Sequence, residues 1–154
     1  LEPLHEHLFE YKTHMMQNYG AGVQACYRGP RLYDTPETQA AVTEVIQWYK
    51  KYRDILNSDM IHLRRPDARD WDGFIHVNPH KKEKGLAMFF NPAHQEITRT
   101  IHIPLYYTGL TQTARIREKE QKPVTYKLNR DYTVELTVKI PANGYTWYVV
   151  EAAD

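Results

Sequence analysis

From Thr133 to Ile140 the chain alternates without a break, with Val134, Leu136, Val138 and Ile140 apolar and Thr133, Glu135, Thr137 and Lys139 polar. A period of two sends these sets to opposite faces of an extended chain, which predicts a strand with one face in a core and one in water. Shorter apolar or alternating runs predict further strands near 61–63, 74–78, 85–90, 97–105, 114–118, 124–128 and 145–151. Asn91 with Pro92, Asn129 to Asp131, and Asn143 with Gly144 punctuate them; these residue types favour turns because they bond their own main chain or tolerate left-handed backbone. Many short strands at this spacing favour a sandwich or barrel, and an antiparallel β-sandwich is the expectation for residues 59–154.

Before residue 59 the period is that of a helix. Leu4, Leu8, Tyr11 and Met15 recur at spacings of four, three and four, which predicts one helix over 3–17 with Pro3 in its first turn. Residues 18–22 break the pattern, and 23–27 predict a short strand ahead of a turn at Gly29 and Pro30. Asp34, Thr35, Pro36 and Glu37 then mark a helix start, with Asp34 as the cap, Pro36 in the first turn and Glu37 three residues beyond the cap. Val42, Val45, Ile46, Tyr49 and Leu56 continue at helical spacing, Trp48, Tyr52 and Ile55 widen the apolar face, and Asn57 and Ser58 end it. The expected fold class is therefore α+β, a two-helix arm over 1–58 followed by an antiparallel sandwich over 59–154. Helices of this length are marginal alone, so their stripes are expected to be buried against the sandwich or against other parts of a longer protein.

Composition narrows the partners. At 154 residues, 42% hydrophobic and 25% charged, the chain can bury a real core and is not disordered. Twenty basic side chains balance nineteen acidic ones, so there is no basic field to attract nucleic acid or an anionic membrane, and neither is expected as a partner. No apolar run approaches the roughly 18–20 residues that cross a bilayer. The single cysteine, Cys26, cannot form an internal disulfide, so the redox compartment, and with it localisation, stays open. A chain opening at Leu1 without Met is expected to be processed or part of something longer. The aromatic balance is unusual, with twelve Tyr and three Trp against four Phe. Rings with a polar tip suit half-buried strand faces, and they also suit stacking on sugars.

Several candidate chemistries fail on spacing. His7, Glu10 and His14 share a helix face, but two imidazoles two turns apart, roughly 10 Å along the axis, cannot both reach one ion with bonds near 2 Å. The remaining histidines have no ligand spacing, so no metal is expected. Cys26 has no local signature of a nucleophile with its base, and neither a phosphate-binding glycine loop nor a nucleophile elbow is present. No cofactor is expected.

Two segments can hold a polar ligand. Residues 64–73 mix Arg64, Arg65 and Arg69 with Asp67, Asp70 and Asp72 around Trp71. Carboxylates and guanidinium groups beside an aromatic face can grip sugar hydroxyls while the ring stacks; the same composition also describes a solvated ion-pair loop. Residues 22–33 read as a strand leaving into a loop before a helix, a β/α unit. In a (β/α)8 barrel the carboxyl end of such a strand faces the active site, which would point Tyr27, Arg28 and Arg31 at substrate. An ordinary connector is the alternative.

The runs GVQACYRGPRLYDTPE, GLAMFFNP and GYTWYVVEAA, in this order, together resemble the end of a retaining-type glycoside hydrolase of the α-galactosidase kind: last barrel strand and helix, then a C-terminal β-sandwich. The resemblance implies that the two catalytic carboxylates of such enzymes come from earlier barrel strands and that none is carried here. It implies that Tyr27, Arg28 and Arg31 line one wall of the pocket and that the sandwich is a packing and stability module. Carbohydrate would be met through the parent protein, and a secreted or periplasmic location follows only by analogy. Asp70 and Asp72 lie two residues apart, which gives no sign of the roughly 5–10 Å opposition that glycoside hydrolysis needs. The competing readings are a standalone sugar-binding module using Trp71, Trp147 or surface tyrosines, and an interaction domain docking a partner through its helical stripes.

Overall fold

The computed structural model describes residues 1–24 and 29–153. The chain divides into two compact units, Leu1–Asn57 and Ser58–Asp154. Its class is α+β, two helices followed by an antiparallel β-sandwich.

In the first unit a 3-10 turn, Leu4–His7, leads into α1, Leu8–Gly20. Helix α1 runs past the break read at Asn18 because its end is a designed stop two residues further on. The Gly22 N–H bonds the Tyr19 carbonyl at 3.0 Å and the Val23 N–H bonds the Asn18 carbonyl at 3.1 Å. Gly22 supplies the left-handed turn this motif needs, with φ of 71°. Helix α2 spans Pro36–Leu56. Its N-cap is Thr35 rather than the expected Asp34, and the reciprocal partner is Thr38 rather than Glu37. Thr35 Oγ1 accepts from the Thr38 N–H at 3.3 Å, and the Thr38 hydroxyl accepts from the Thr35 N–H at 3.0 Å. Pro36 explains the shift, since its ring is pre-set for the first helical position and fixes the cap at the residue before it. The helices pack on each other, with the Tyr19 and Tyr49 rings 5.2 Å apart and Lys12 paired to Glu44 at 2.8 Å. The strand expected over 23–27 is not present at Val23 and Gln24; Cys26, Tyr27 and Arg28 lie outside the described residues.

In the second unit all eight expected strands are present: β1 Asp59–Arg64, β2 Asp72–Val77, β3 Glu83–Phe90, β4 Ile97–Pro104, β5 Thr113–Glu118, β6 Val124–Lys127, β7 Thr133–Ile140 and β8 Tyr145–Glu151. Six form one sheet in the order β1-β2-β3-β8-β5-β6, and β4 pairs with β7 in a two-stranded second sheet. The sheets are stacked and open rather than closed into a barrel. Ile101 opposes Leu136 and Ile103 opposes Val134 across the small sheet, so the alternation read from 133–140 turns its apolar face inward while Thr98, Thr100, Glu135 and Thr137 stay exposed. The core also takes Ile75, Ala87, Phe89, Ile116, Tyr148 and Val150 from the large sheet. Phe89 is fully buried, with the Trp71 and Tyr148 rings 5.9 and 5.8 Å away. Burying a side chain of this size is worth about 1.5–3 kcal/mol.

Asn91 holds one end of the sandwich. Its side-chain amide donates to the carbonyls of Gln95, Ile140 and Pro141 at 2.8, 3.2 and 3.0 Å, and its Oδ1 accepts from the Ala93 N–H at 2.9 Å. The Asn91 N–H bonds the Gly144 carbonyl at 2.9 Å. One buried side chain thus joins the β3–β4 turn to the β7–β8 turn, with its bond to the Ile140 carbonyl made in the interior.

Candidate functional site

The connection between β1 and β2 is shaped by its own charges. Arg64 at the end of β1 turns back, so that Nη1 donates to the Trp71 carbonyl at 2.6 Å and Nη2 to Asp67 Oδ2 at 2.8 Å. Asp67 Oδ1 accepts from the N–H groups of Arg69 and Asp70 at 2.9 and 3.0 Å. The Arg64 contact, then those backbone donors, hold the Asp67 carboxyl well below the usual carboxylate range. Asp70 Oδ1 accepts from the Trp71 N–H at 2.8 Å, and Arg99 of β4 reaches the same oxygen with Nη2 at 3.1 Å. The Asp70 carboxyl is lowered chiefly by that N–H, with Arg99 adding to it against some desolvation.

Trp71 is half-buried on Phe89, with the Arg64 guanidinium 5.9 Å from its ring centre. Asp72 opens β2 opposite Phe90. Desolvation raises its carboxyl above the ordinary value, the like charge of Asp67 adds to this, and Arg64 opposes it. The structure therefore brings Asp70 and Trp71 together, but it commits Asp70 to Arg99 and to the backbone and commits Trp71 to the core. The loop works as a clasp. Arg64, Asp67 and Asp70 spend their polar groups on one another's segment, on its backbone and on Arg99.

The other sequence-derived residues are separated from this loop along the chain. Arg31 precedes α2 and pairs through Nη2 with Glu2 Oε2 at 2.9 Å, on the surface. Trp147 of β8 is buried, so its ring offers no stacking surface. Among the described residues no group of three His, Cys, Asp or Glu side chains is placed to hold a metal ion. Tyr106 and Tyr107, which the pattern reading left at a strand end, are instead among the most exposed large side chains. The surplus of tyrosine over phenylalanine was the one signal pointing to them.

No family model matches the sequence, and no curated protein matches it. Solved structures do. The fold is similar to a candidate α-N-acetylgalactosaminidase of Bacillus halodurans C-125, with a TM-score of 0.60 at 12% identity over 93% of this chain and 31% of that one. It is similar to a GH27 β-L-arabinopyranosidase of Geobacillus stearothermophilus, with a TM-score of 0.59 at 10% identity over 92% of this chain and 31% of that one. It is also similar to α-galactosidase I of Mortierella vinacea, with a TM-score of 0.59 at 12% identity over 97% of this chain and 38% of that one. The chain has the fold of a C-terminal region of such an enzyme. It spans about a third of the length of these structures, and at such identities the likeness is one of fold.

Proposed function

We propose that this chain is the C-terminal accessory region of a glycoside hydrolase, inactive alone, whose helical unit completes the end of a β/α barrel and whose sandwich is a packing and stability module. The observation that carries the reading is the fold match itself, which takes in nine-tenths of this chain and only about a third of each glycosidase. The surface of the helical unit supports it. Phe9, Val23, Leu32 and Tyr33 are 52%, 51%, 50% and 46% exposed, an apolar set that favours burial against further protein. In this reading Tyr27, Arg28 and Arg31 line one wall of a substrate pocket, and carbohydrate reaches the chain through the parent enzyme.

The chemistry of the described residues fits an accessory part. Glycoside hydrolysis takes two opposed carboxylates, one free to attack or to activate water, and the acidic loop of the sandwich spends Asp67 and Asp70 on arginines and backbone. The test is to assay the isolated chain on aryl α-galactosides and aryl β-arabinopyranosides and to read the coding frame upstream of Leu1. No turnover, with an upstream frame of alternating strand and helix pattern, is the expected result. Turnover by the chain alone would overturn the proposal.

A further inference from the structure

The chain between β4 and β5 makes a 3-10 turn, Tyr106–Thr108, that holds two tyrosine rings out in water, 61% and 63% exposed at Tyr106 and Tyr107. The turn beneath them is firmly set. Leu105 and Thr108 are buried, the Thr108 hydroxyl and N–H both bond the Leu105 carbonyl, and the Leu105 N–H bonds the Tyr132 carbonyl at 2.9 Å. Gly109 closes the turn with φ of 77°, and a Cβ there would lie 3.0 Å from the Pro79 Cβ. The rings are mutually ordered: Tyr107 and Tyr132 meet Tyr106 edge-on, at 5.1 and 5.3 Å between ring centres.

Tyr132 is the second unusual feature. It sits in the turn before β7 with φ of 62°, a left-handed conformation that a residue with a bulky side chain adopts against its preference and that Gly or Asn would fill at less cost. Strain of this kind tends to be kept where a side chain has a task. Its ring also forms part of the wall of an open cleft of about 540 Å³, whose other walls include Gln112, Lys127, Asn129 and Arg130. All four are exposed, so their amide, ammonium and guanidinium groups can reach a molecule in the cleft.

We infer that the Tyr106–Tyr107–Tyr132 cluster and the adjoining cleft form a carbohydrate subsite that takes a pyranose ring. The apolar C–H face of a sugar stacks on an aromatic ring while its rim of hydroxyls needs donors and acceptors at the ring's edge, and this surface offers both side by side. A protein partner would want a wider apolar centre than these rings provide. The choice of a sugar rests on the glycosidase reading above. The subsite itself lies within the sandwich unit.

The test is a titration of the whole chain with melibiose, followed by backbone amide chemical shifts, with sorbitol as a polyol that lacks a ring. Saturable shifts in the millimolar range, confined to the amides around Tyr106, Tyr107, Asn129 and Tyr132 and absent with sorbitol, are the expected result. Tyr107→Ala should weaken binding about tenfold, while Tyr107→Phe keeps it. The exposed position lets both variants fold, and an unchanged spectrum elsewhere checks this. No saturable shift, an equal response to sorbitol, or undiminished binding by Tyr107→Ala overturns the subsite, as does concentration-dependent broadening at these amides that sugar does not relieve, the mark of a contact between copies. The two readings fail separately: turnover by the isolated chain removes the accessory role, and absent melibiose binding removes the subsite.

Discussion

Arg99 of β4 and Asp70 of the β1–β2 connection meet across the two sheets of the sandwich, Nη2 to Oδ1 at 3.1 Å, with Nε 3.2 Å from the same oxygen. Arg99 opposes Val138 in the small sheet and so stands among residues that point inward. Its guanidinium escapes the core by reaching Asp70 at the rim, which gives the loop its place over Trp71. The side chains remain 40% and 34% exposed, so water competes for both ions and the pair is worth at most about 1 kcal/mol. A double-mutant cycle of Arg99→Ala and Asp70→Asn, followed by urea denaturation, should give a coupling of about 0.5 kcal/mol that shrinks in high salt.

Asn91 should matter far more than that ion pair. Replacing it with Ala removes a donor from the buried Ile140 carbonyl and the acceptor of the Ala93 N–H. Unsatisfied groups of this kind cost about 1–3 kcal/mol. The unfolding free energy of Asn91→Ala, read from urea denaturation, should fall by about 1–3 kcal/mol, whereas a fall no larger than that of Arg99→Ala would show that the turns hold without it.

At the cap of α2, Thr35→Ala removes the acceptor for the Thr38 N–H and should cost about 1 kcal/mol. Glu37→Ala should change little, because the reciprocal partner is the Thr38 hydroxyl. Equal effects of the two substitutions in thermal melts followed by circular dichroism would restore Glu37 as the box residue.

The acid limb of stability should carry a signature of Asp34. Burial raises its carboxyl, but hydrogen bonds from the His5 ring and N–H and from the Thr38 hydroxyl outweigh that and bring it to about 2, from an ordinary 3.8. A carboxyl lowered in the folded state contributes its full stabilisation above its unfolded value and loses it as the pH falls through the folded one. The contribution is therefore complete above pH of about 4 and fades towards about 2. Asp34→Asn should be less stable at neutral pH and should flatten the stability profile in that window, which acid titration of the helical signal would read.

The strands were legible because hydrophobic alternation is a local property. Val134 to Ile140 names its own inner face, and the turns at Asn91, Asn129 and Asn143 bound the rest. The position of the cap was partly legible, since Pro36 carried the information and Asp34 distracted from it by offering a second good capping side chain. Pairing order was not legible, because nothing in Tyr145 to Glu151 says that this strand belongs between β3 and β5. The tyrosine cluster escaped for a similar reason. Tyr106 and Tyr107 follow directly on the strand read over 97–105, and nothing local in the sequence says that the turn there comes to lie beside Tyr132. The Arg64–Gly73 loop was read for its composition, and its composition does not say that Arg64 would spend its donors on Asp67 and the Trp71 carbonyl.

The place of β8 has a consequence for how the protein is made. Strand β8 lies between β3 and β5, so β1-β2-β3 and β5-β6 are two separate halves until it arrives. A nascent chain cannot complete the large sheet while Tyr145–Glu151 are still inside the ribosomal tunnel, and until they emerge the edge of β3 that pairs with β8 has no partner. Loss of β8 would therefore split the sheet down its middle rather than shorten it at a border.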